Sequence, residues 1–207
     1  MNLIETIKQN IQNPLPGRDA QNKMSHAIRK HATLVPENAR KAAVLGMLYP
    51  KREEWHIALI ERQSSHPDDK HGGQISFPGG MHEMSDPSLQ YTALRETFEE
   101  IGVPVDDINP LGPLTPMYIP VSNFQVYPFL GHLEELPLFQ PQPSEVRSIL
   151  EVPIHQFSNP EILKTKDIKV SERMTLKNVP YYDIQGHTLW GATAMMIREM
   201  LEVMEIA

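Results

Sequence analysis

The chain has no cysteine among its 207 residues, which excludes disulfide staples and thiolate metal sites and leaves the redox compartment unassigned. It also lacks a long apolar run. The longest, AAVLGMLY from Ala42 to Tyr49, is far below the roughly 20 residues a membrane-spanning helix requires. Positive charge is scarce too: 19 Lys and Arg face 26 Asp and Glu, a formal net charge of -7. A protein that neutralises a nucleic-acid backbone is more often basic, so neither nucleic acid nor membrane is expected as a partner. The N-terminal MNLIETIKQNIQN lacks the continuous apolar core of a secretory leader, and the chain is expected to be soluble and cytoplasmic. None of the 9 histidines falls into a zinc-ligand spacing, and there is no internal repeat.

What remains is ordinary globular composition, 40% hydrophobic and 22% charged, with length for one decorated domain. Leu3, Ile4, Ile7 and Ile11 at helical spacing predict an amphipathic N-terminal helix, interrupted by NPLPGRDAQ; residues 1–40 read as a helical extension ahead of a main domain over 41–207. KAAVLGMLYP and EWHIALIER predict two strands joined by a polar turn at Lys51 to Glu54, the first buried on both faces. QISFP predicts a short strand, FQVYPFLGHLEE a longer one, and SEVRSILEVPIHQF a strand plus a turn of helix. The stretch LKTKDIKVSERMTLKNVPYYDIQGHTLWG predicts hairpins with Gly186 at a turn. Met196, Ile197, Met200, Leu201 and Met204 share one face of a C-terminal helix, so the plentiful methionines read as core filling. The expected fold class is α+β, a sandwich of helices on a sheet.

Chemistry concentrates in GGMHEMSDPSLQYTALRETFEEIGV, Gly79 to Val103. Asp86 as N-cap and Pro87 at the first helical position predict a helix start, and Gly102 and Pro104 a stop. Tyr91, Leu94, Phe98 and Ile101 then share the packing face, with Glu96, Glu99 and Glu100 opposite. Alone, such a glutamate pair reads as a solvated face steadied by Arg95 with Glu99. Gly79 and Gly80, read as a turn before the helix, change that reading, because glycine lets a backbone carbonyl such as that of Gly80 join the carboxylates. Three like charges on adjacent turns favour a hard cation, Mg²⁺ or Mn²⁺, that keeps several waters and meets substrate phosphate. The chemistry indicated is metal-assisted hydrolysis of a phosphoanhydride.

Gly80, Asp86, Arg95, Glu96, Glu99, Glu100 and Gly102 resemble the Nudix box. Two departures are visible: Asp86 replaces a glutamate with eight rather than seven residues before Arg95, and Thr97 replaces an aliphatic residue. The resemblance implies a Nudix-type α/β/α sandwich with a mixed β-sheet over 41–207. It implies Glu96 and Glu100 as metal ligands and Glu99 as a third ligand or the group that activates water. Arg95 would orient a glutamate through a salt bridge. The longer box, with GGQISFPGG, Glu83 and TALRE, is similar to the coenzyme A pyrophosphatase-like branch, as are YIPVSNFQVYPFLG and HTLWGATA. What this implies is cleavage of the diphosphate of coenzyme A or an acyl-CoA to adenosine 3′,5′-bisphosphate and 4′-phosphopantetheine or its acyl form. ADP-ribose or a dinucleotide is the alternative substrate, and a non-catalytic binding module a more distant one.

Substrate contacts implied by that resemblance are Arg62, His71 and the backbone around Ser76 and Phe77. Arg62 suits a phosphate through its planar fork, or ends a strand in a salt bridge. His71 contacts phosphate or caps its loop. Tyr118 lines a nucleobase site or packs internally. Glu145 is a candidate general base outside the box, or a solvated carboxylate. Lys164, Lys166, Lys169, Lys177 and Arg173 either steer a polyanion or decorate a solvated hairpin. A homodimer is compatible with the family.

Overall fold

In the computed structural model, which describes residues 2–26, 34–64, 72–172 and 174–206, two short helices, α1 (Leu3–Asn10) and α2 (Gly17–Asn22), precede the strand β1 (Arg40–Lys51). β2 (Glu54–Arg62) returns from a tight turn at Arg52 and Glu53, both in the left-handed region with φ of 52° and 64°. There follow β3 (Ile75–Ser76), β4 (Gly79–Met81), α3 (Leu89–Ile101), β5 (Asn109–Pro113), β6 (Met117–Ile119), β7 (Phe124–His132) and β8 (Val146–Pro153). The chain ends in β9 (Leu163–Ser171), β10 (Met174–Ile184), β11 (His187–Trp190) and α4 (Gly191–Val203).

β1 organises the main sheet. It runs parallel to β7 from Arg40 to Leu48 and antiparallel to β4 through Ala42–Val44 and to β2 through Leu48–Lys51. β2 carries β3 and β8, and β7 carries β5 and β6. One parallel pair among antiparallel ones makes the sheet mixed. Alternation along a strand sends successive side chains to opposite faces, and here it feeds two separate cores. Ala43, Leu45, Met47 and Tyr49 of β1, with Ala58 and Ile60 of β2, pack with Ala93, Leu94 and Ile101 of α3. Ala42 and Leu48, with Ile57 and Leu59, pack in the core that holds Ile4, Ile7, Met196, Ile197 and Met200. The result is the expected sandwich, with α3 over one face and α1 and α4 over the other.

The second N-terminal helix, α2, is tied to α4 by a buried carboxylate. Glu199 has no exposed surface, and it accepts the Gly17 N–H at 3.2 Å, the Thr115 N–H at 3.1 Å and the Gln21 amide at 2.8 Å. The second sheet, β9 to β11, turns at Gln185 and Gly186 as expected. Its lysines are largely engaged within the sheet: Lys164 pairs with Asp183 at 2.7 Å, Lys177 with Asp167 at 2.6 Å, and Lys166 donates to Thr188. That favours a solvated hairpin over a steering patch; Arg173 lies outside the described residues. No helix among the described residues is long and apolar enough to cross a membrane. Replacing Glu199 by Ala removes the acceptor of one buried and two part-buried donors and should cost about 3 kcal/mol, with Glu199→Gln losing less. Urea unfolding of the three proteins checks this, and equal midpoints would contradict it.

Candidate active site

α3 starts two residues later than the Asp-Pro pair predicts. Ser88 is the N-cap, its hydroxyl accepting the Tyr91 N–H at 3.1 Å. Asp86 turns inward instead, its side chain 1% exposed. It accepts Arg95 Nε at 2.9 Å and Nη2 at 3.0 Å, the Thr92 hydroxyl at 2.9 Å and the Glu83 N–H at 3.0 Å. Either Asp or Ser can cap a helix, but only the carboxylate can answer a guanidinium, so the two residues divide the tasks. The longer segment is absorbed here, ahead of the glutamates.

The packing face of α3 is also rotated from the expected one. Tyr91 and Phe98 are 40% and 51% exposed, whereas Thr92, Ala93, Leu94, Thr97, Glu100 and Ile101 are buried. Ala93 and Thr97 are small enough to bring the helix close to the sheet. Thr97 satisfies its hydroxyl on the Ala93 carbonyl at 2.7 Å, which is how a polar residue serves where an aliphatic one is usual. Glu100 therefore does not share an exposed face with Glu96 and Glu99. Its carboxylate is buried under β4, with Oε2 on the Gly79 N–H at 2.8 Å and Oε1 on Arg62 Nη1 at 3.2 Å.

Gly79 and Gly80 belong to a strand paired with β1, not to a turn. Gly79 has φ of 148°, and a Cβ there would strike the Ala43 carbonyl and Val44. A Cβ on Gly80 would overlap the Glu96 carboxylate. Bare backbone is what lets Glu96 and Glu100 approach β4 side by side.

Burial dominates the electrostatics. It pushes the Glu100 carboxyl up to about 7, helped by the charges of Glu96 and Glu145 and opposed by the Gly79 N–H and Arg62. Burial likewise raises Glu96, against Arg95 and with Glu99 and Glu145. The Arg95 hydrogen bonds hold Asp86 well below the usual carboxylate range. Arg95 Nη1 also lies 2.9 Å from Glu99 Oε2 and 3.0 Å from Glu96 Oε1. Glu99 is half-exposed.

The structure gathers Gly80, Arg95, Glu96, Glu99, Glu100, Arg62 and Glu145 around one end of the sheet. Glu145 enters on the strand-end that meets β2, its carbonyl accepting the Gln63 N–H at 2.7 Å. Ser76 pairs beside Ile60 in β3, and its buried hydroxyl has no partner among the described residues. Phe77 is 1% exposed in the core, so only its backbone is available. Tyr118 donates to Asn123 Oδ1 at 2.9 Å, and His71 lies outside the described residues. Sequence reading missed the support behind Asp86: Thr92, one turn into the helix, lies 2.8 Å from His82 Nδ1. The only signal was a hydroxyl at an otherwise packed position. A cleft of about 490 Å³ near the end of α3, lined by Val103, Asp107, Leu133, Leu136 and Leu138, contains none of these residues.

Among the described residues no three acidic or imidazole side chains already form a ligand group. The fit to a hard cation rests instead on two crowded carboxylates, Glu96 and Glu100, beside the backbone cradle of Gly80. Mg²⁺ typically takes one or two carboxylates and completes its shell with water and phosphate, so this donor set is suitable. A cation there offsets the loss of hydration that, with the neighbouring carboxylates, raises both carboxyls.

Two outcomes follow from the geometry. Gly80→Ala should leave the protein folded yet weaken divalent-cation binding about tenfold or more, measured by calorimetry; unchanged binding would contradict the cradle. Asp86→Asn should lower stability at neutral pH by about 2 kcal/mol. Because the Asp86 carboxyl is depressed, that deficit is present above about pH 4 and shrinks as pH falls below it. Urea unfolding against pH checks the sign, and a deficit that persists unchanged in acid would contradict it.

Residues 39–174 match the family described as NUDIX domain. A Photorhabdus laumondii protein named "Uncharacterized Nudix hydrolase NudL" is 32% identical over 170 residues, covering 82% of this chain and 88% of that protein. A Yersinia enterocolitica protein of the same name is 34% identical over 172 residues, covering 82% and 84%. Among solved structures, a C. elegans Ap4A hydrolase binary complex is similar with a TM-score of 0.48 and 16% identity, over 57% of this chain and 82% of that one. With its glutamates ordered on one helix against a glycine strand, and with most of its length matched, the chain belongs to the Nudix hydrolase family.

Proposed function

We propose that the protein is a Mg²⁺- or Mn²⁺-dependent diphosphatase acting on coenzyme A or an acyl-CoA. Nudix hydrolases act on small nucleoside diphosphate-linked compounds and generally use divalent metals, which sets the reaction class. The observation that carries the narrower reading is the closed, longer box. Asp86 reaches Arg95 across eight residues while Ser88 caps the helix, so the extra residue is built in. Together with SFPGG and TALRE, that supports the coenzyme A pyrophosphatase-like branch.

In this reading Glu96 and Glu100, with the Gly80 carbonyl, would hold a divalent cation, which would supply neutralisation of diphosphate charge and activation of water at neutral pH. Arg95, clamped by Asp86, keeps Glu96 and Glu99 in register. Glu99 accepts the proton of the attacking water, with Glu145 as the other carboxylate able to do so, or serves as a third ligand. The water oxygen forms a bond to one phosphorus as the bridging P–O bond breaks. The products are adenosine 3′,5′-bisphosphate and 4′-phosphopantetheine or its acyl form. Arg62 and the backbone at Ser76 and Phe77, at the end of β3, with His71, receive the substrate.

A product-resolved assay of coenzyme A, acyl-CoAs, ADP-ribose and dinucleotides with Mg²⁺ or Mn²⁺ should show preferred turnover of the first two. Equal slow turnover of all would remove the coenzyme A assignment and leave the diphosphatase one. Glu100→Gln should lower turnover by about a hundredfold or more. Since the Glu100 carboxyl sits at about 7 in the free protein, a proton must leave as the cation enters. Cation affinity measured by calorimetry should therefore rise from about pH 6 to about pH 8; a flat profile would contradict Glu100 as ligand.

A further inference from the structure

Each of the three glutamates faces an arginine, but the two arginines are held differently. Arg95 is clamped: Asp86 takes it at 2.9 and 3.0 Å, the Met81 carbonyl at 3.2 Å and Glu99 at 2.9 Å, and its side chain is 16% exposed. Arg62 has a single carboxylate contact among the described residues, Glu100 Oε1 at 3.2 Å, and its side chain is 34% exposed. Its backbone is nonetheless fixed, donating to the Gln74 carbonyl at 3.0 Å and accepting the Gly73 N–H at 2.8 Å. Among the described residues, one carboxylate contact therefore holds the guanidinium, on a backbone that is itself fixed.

Glu100 Oε2 accepts the Gly79 N–H and Oε1 accepts Arg62. A cation on either oxygen shares this one buried carboxylate with the guanidinium. Two positive charges on one carboxylate repel each other strongly in a buried setting. We propose that Arg62 is a displaceable counter-ion, which neutralises Glu100 in the free protein and is released to the substrate diphosphate when a divalent cation takes Glu100. A released guanidinium needs an anion, and its planar fork matches phosphate oxygens. Metal loading and substrate capture are then coupled through one side chain, and the coupling is reciprocal. The inference rests on the cation site of the proposed function, not on which nucleotide is cleaved.

The test uses the intact protein without substrate, with Mn²⁺ binding followed by electron paramagnetic resonance at one fixed pH for all variants. Arg62→Gln should bind Mn²⁺ roughly tenfold tighter than wild type, and Arg62→Lys, which keeps the charge, should stay within about twofold. ADP binding to the Mn²⁺-saturated protein should weaken roughly tenfold in Arg62→Gln. In wild type, which needs no folded variant, Mg²⁺ alone should shift the Arg62 Nε–H resonance and leave that of Arg95 in place. Equal or weaker Mn²⁺ binding by a folded Arg62→Gln, unchanged ADP affinity, or a stationary Arg62 resonance would each overturn the proposal while leaving the cation site intact. A wild-type protein that binds no Mn²⁺ would remove the cation site itself, and the inference with it.

Discussion

A carboxylate held 1% exposed beneath a glycine strand is the constraint on which the site depends. Glu100 leaves water because α3 packs tightly on β1 and β4, and its lost hydration is replaced by the Gly79 N–H and the Arg62 guanidinium. That replacement is incomplete, since the carboxyl remains raised. A buried carboxylate in that condition is tolerable when a stronger positive charge can reach it. Much of the local sequence serves this arrangement: Ala93 and Thr97 allow the close approach, and Gly79 and Gly80 keep side chains out of the gap.

The sheet supplies the rigidity. β1 pairs with β2, β4 and β7, so the glycine strand, the Arg62 strand and the helix beneath them are all referenced to one strand. On the opposite face, Glu199 fastens α4 to α2 through backbone donors and an amide. The two buried glutamates contrast usefully. Glu199 is surrounded by neutral donors that complete its hydrogen bonding, whereas Glu100 meets one guanidinium and two neighbouring carboxylates. The first arrangement is fit for a clasp and the second for binding.

Much of this was legible in the residue pattern. A continuous apolar run marked β1, the following EWHIALIER marked β2, methionine spacing marked α4, and the box residues marked the candidate site. What stayed hidden depended on competition between equivalent choices. Asp86 and Ser88 can both cap, and only the three-dimensional position of Arg95 decides which one is needed elsewhere. Tyr91 and Phe98 are apolar and correctly spaced, yet the smaller Ala93 and Thr97 face the sheet because close packing there outweighs the burial of two rings. Helical spacing placed Glu100 on an outer face, since no local rule reveals a carboxylate whose partners arrive from β2 and β4. For Arg62 the sequence left two readings, phosphate contact and salt bridge; the structure shows the salt bridge, and the displacement proposed above would make both true at different times.

The central claim is that a divalent cation is held by Glu96 and Glu100 against Gly80, and paramagnetic broadening of backbone amides by substoichiometric Mn²⁺ tests it most directly. The amides of Gly79, Gly80, Glu96 and Glu100 should broaden first, with Arg62 close behind. Earliest broadening at the acidic residues of the cleft beyond the end of α3, Asp107, Glu134 and Glu135, with the glycine strand left sharp, would contradict the account.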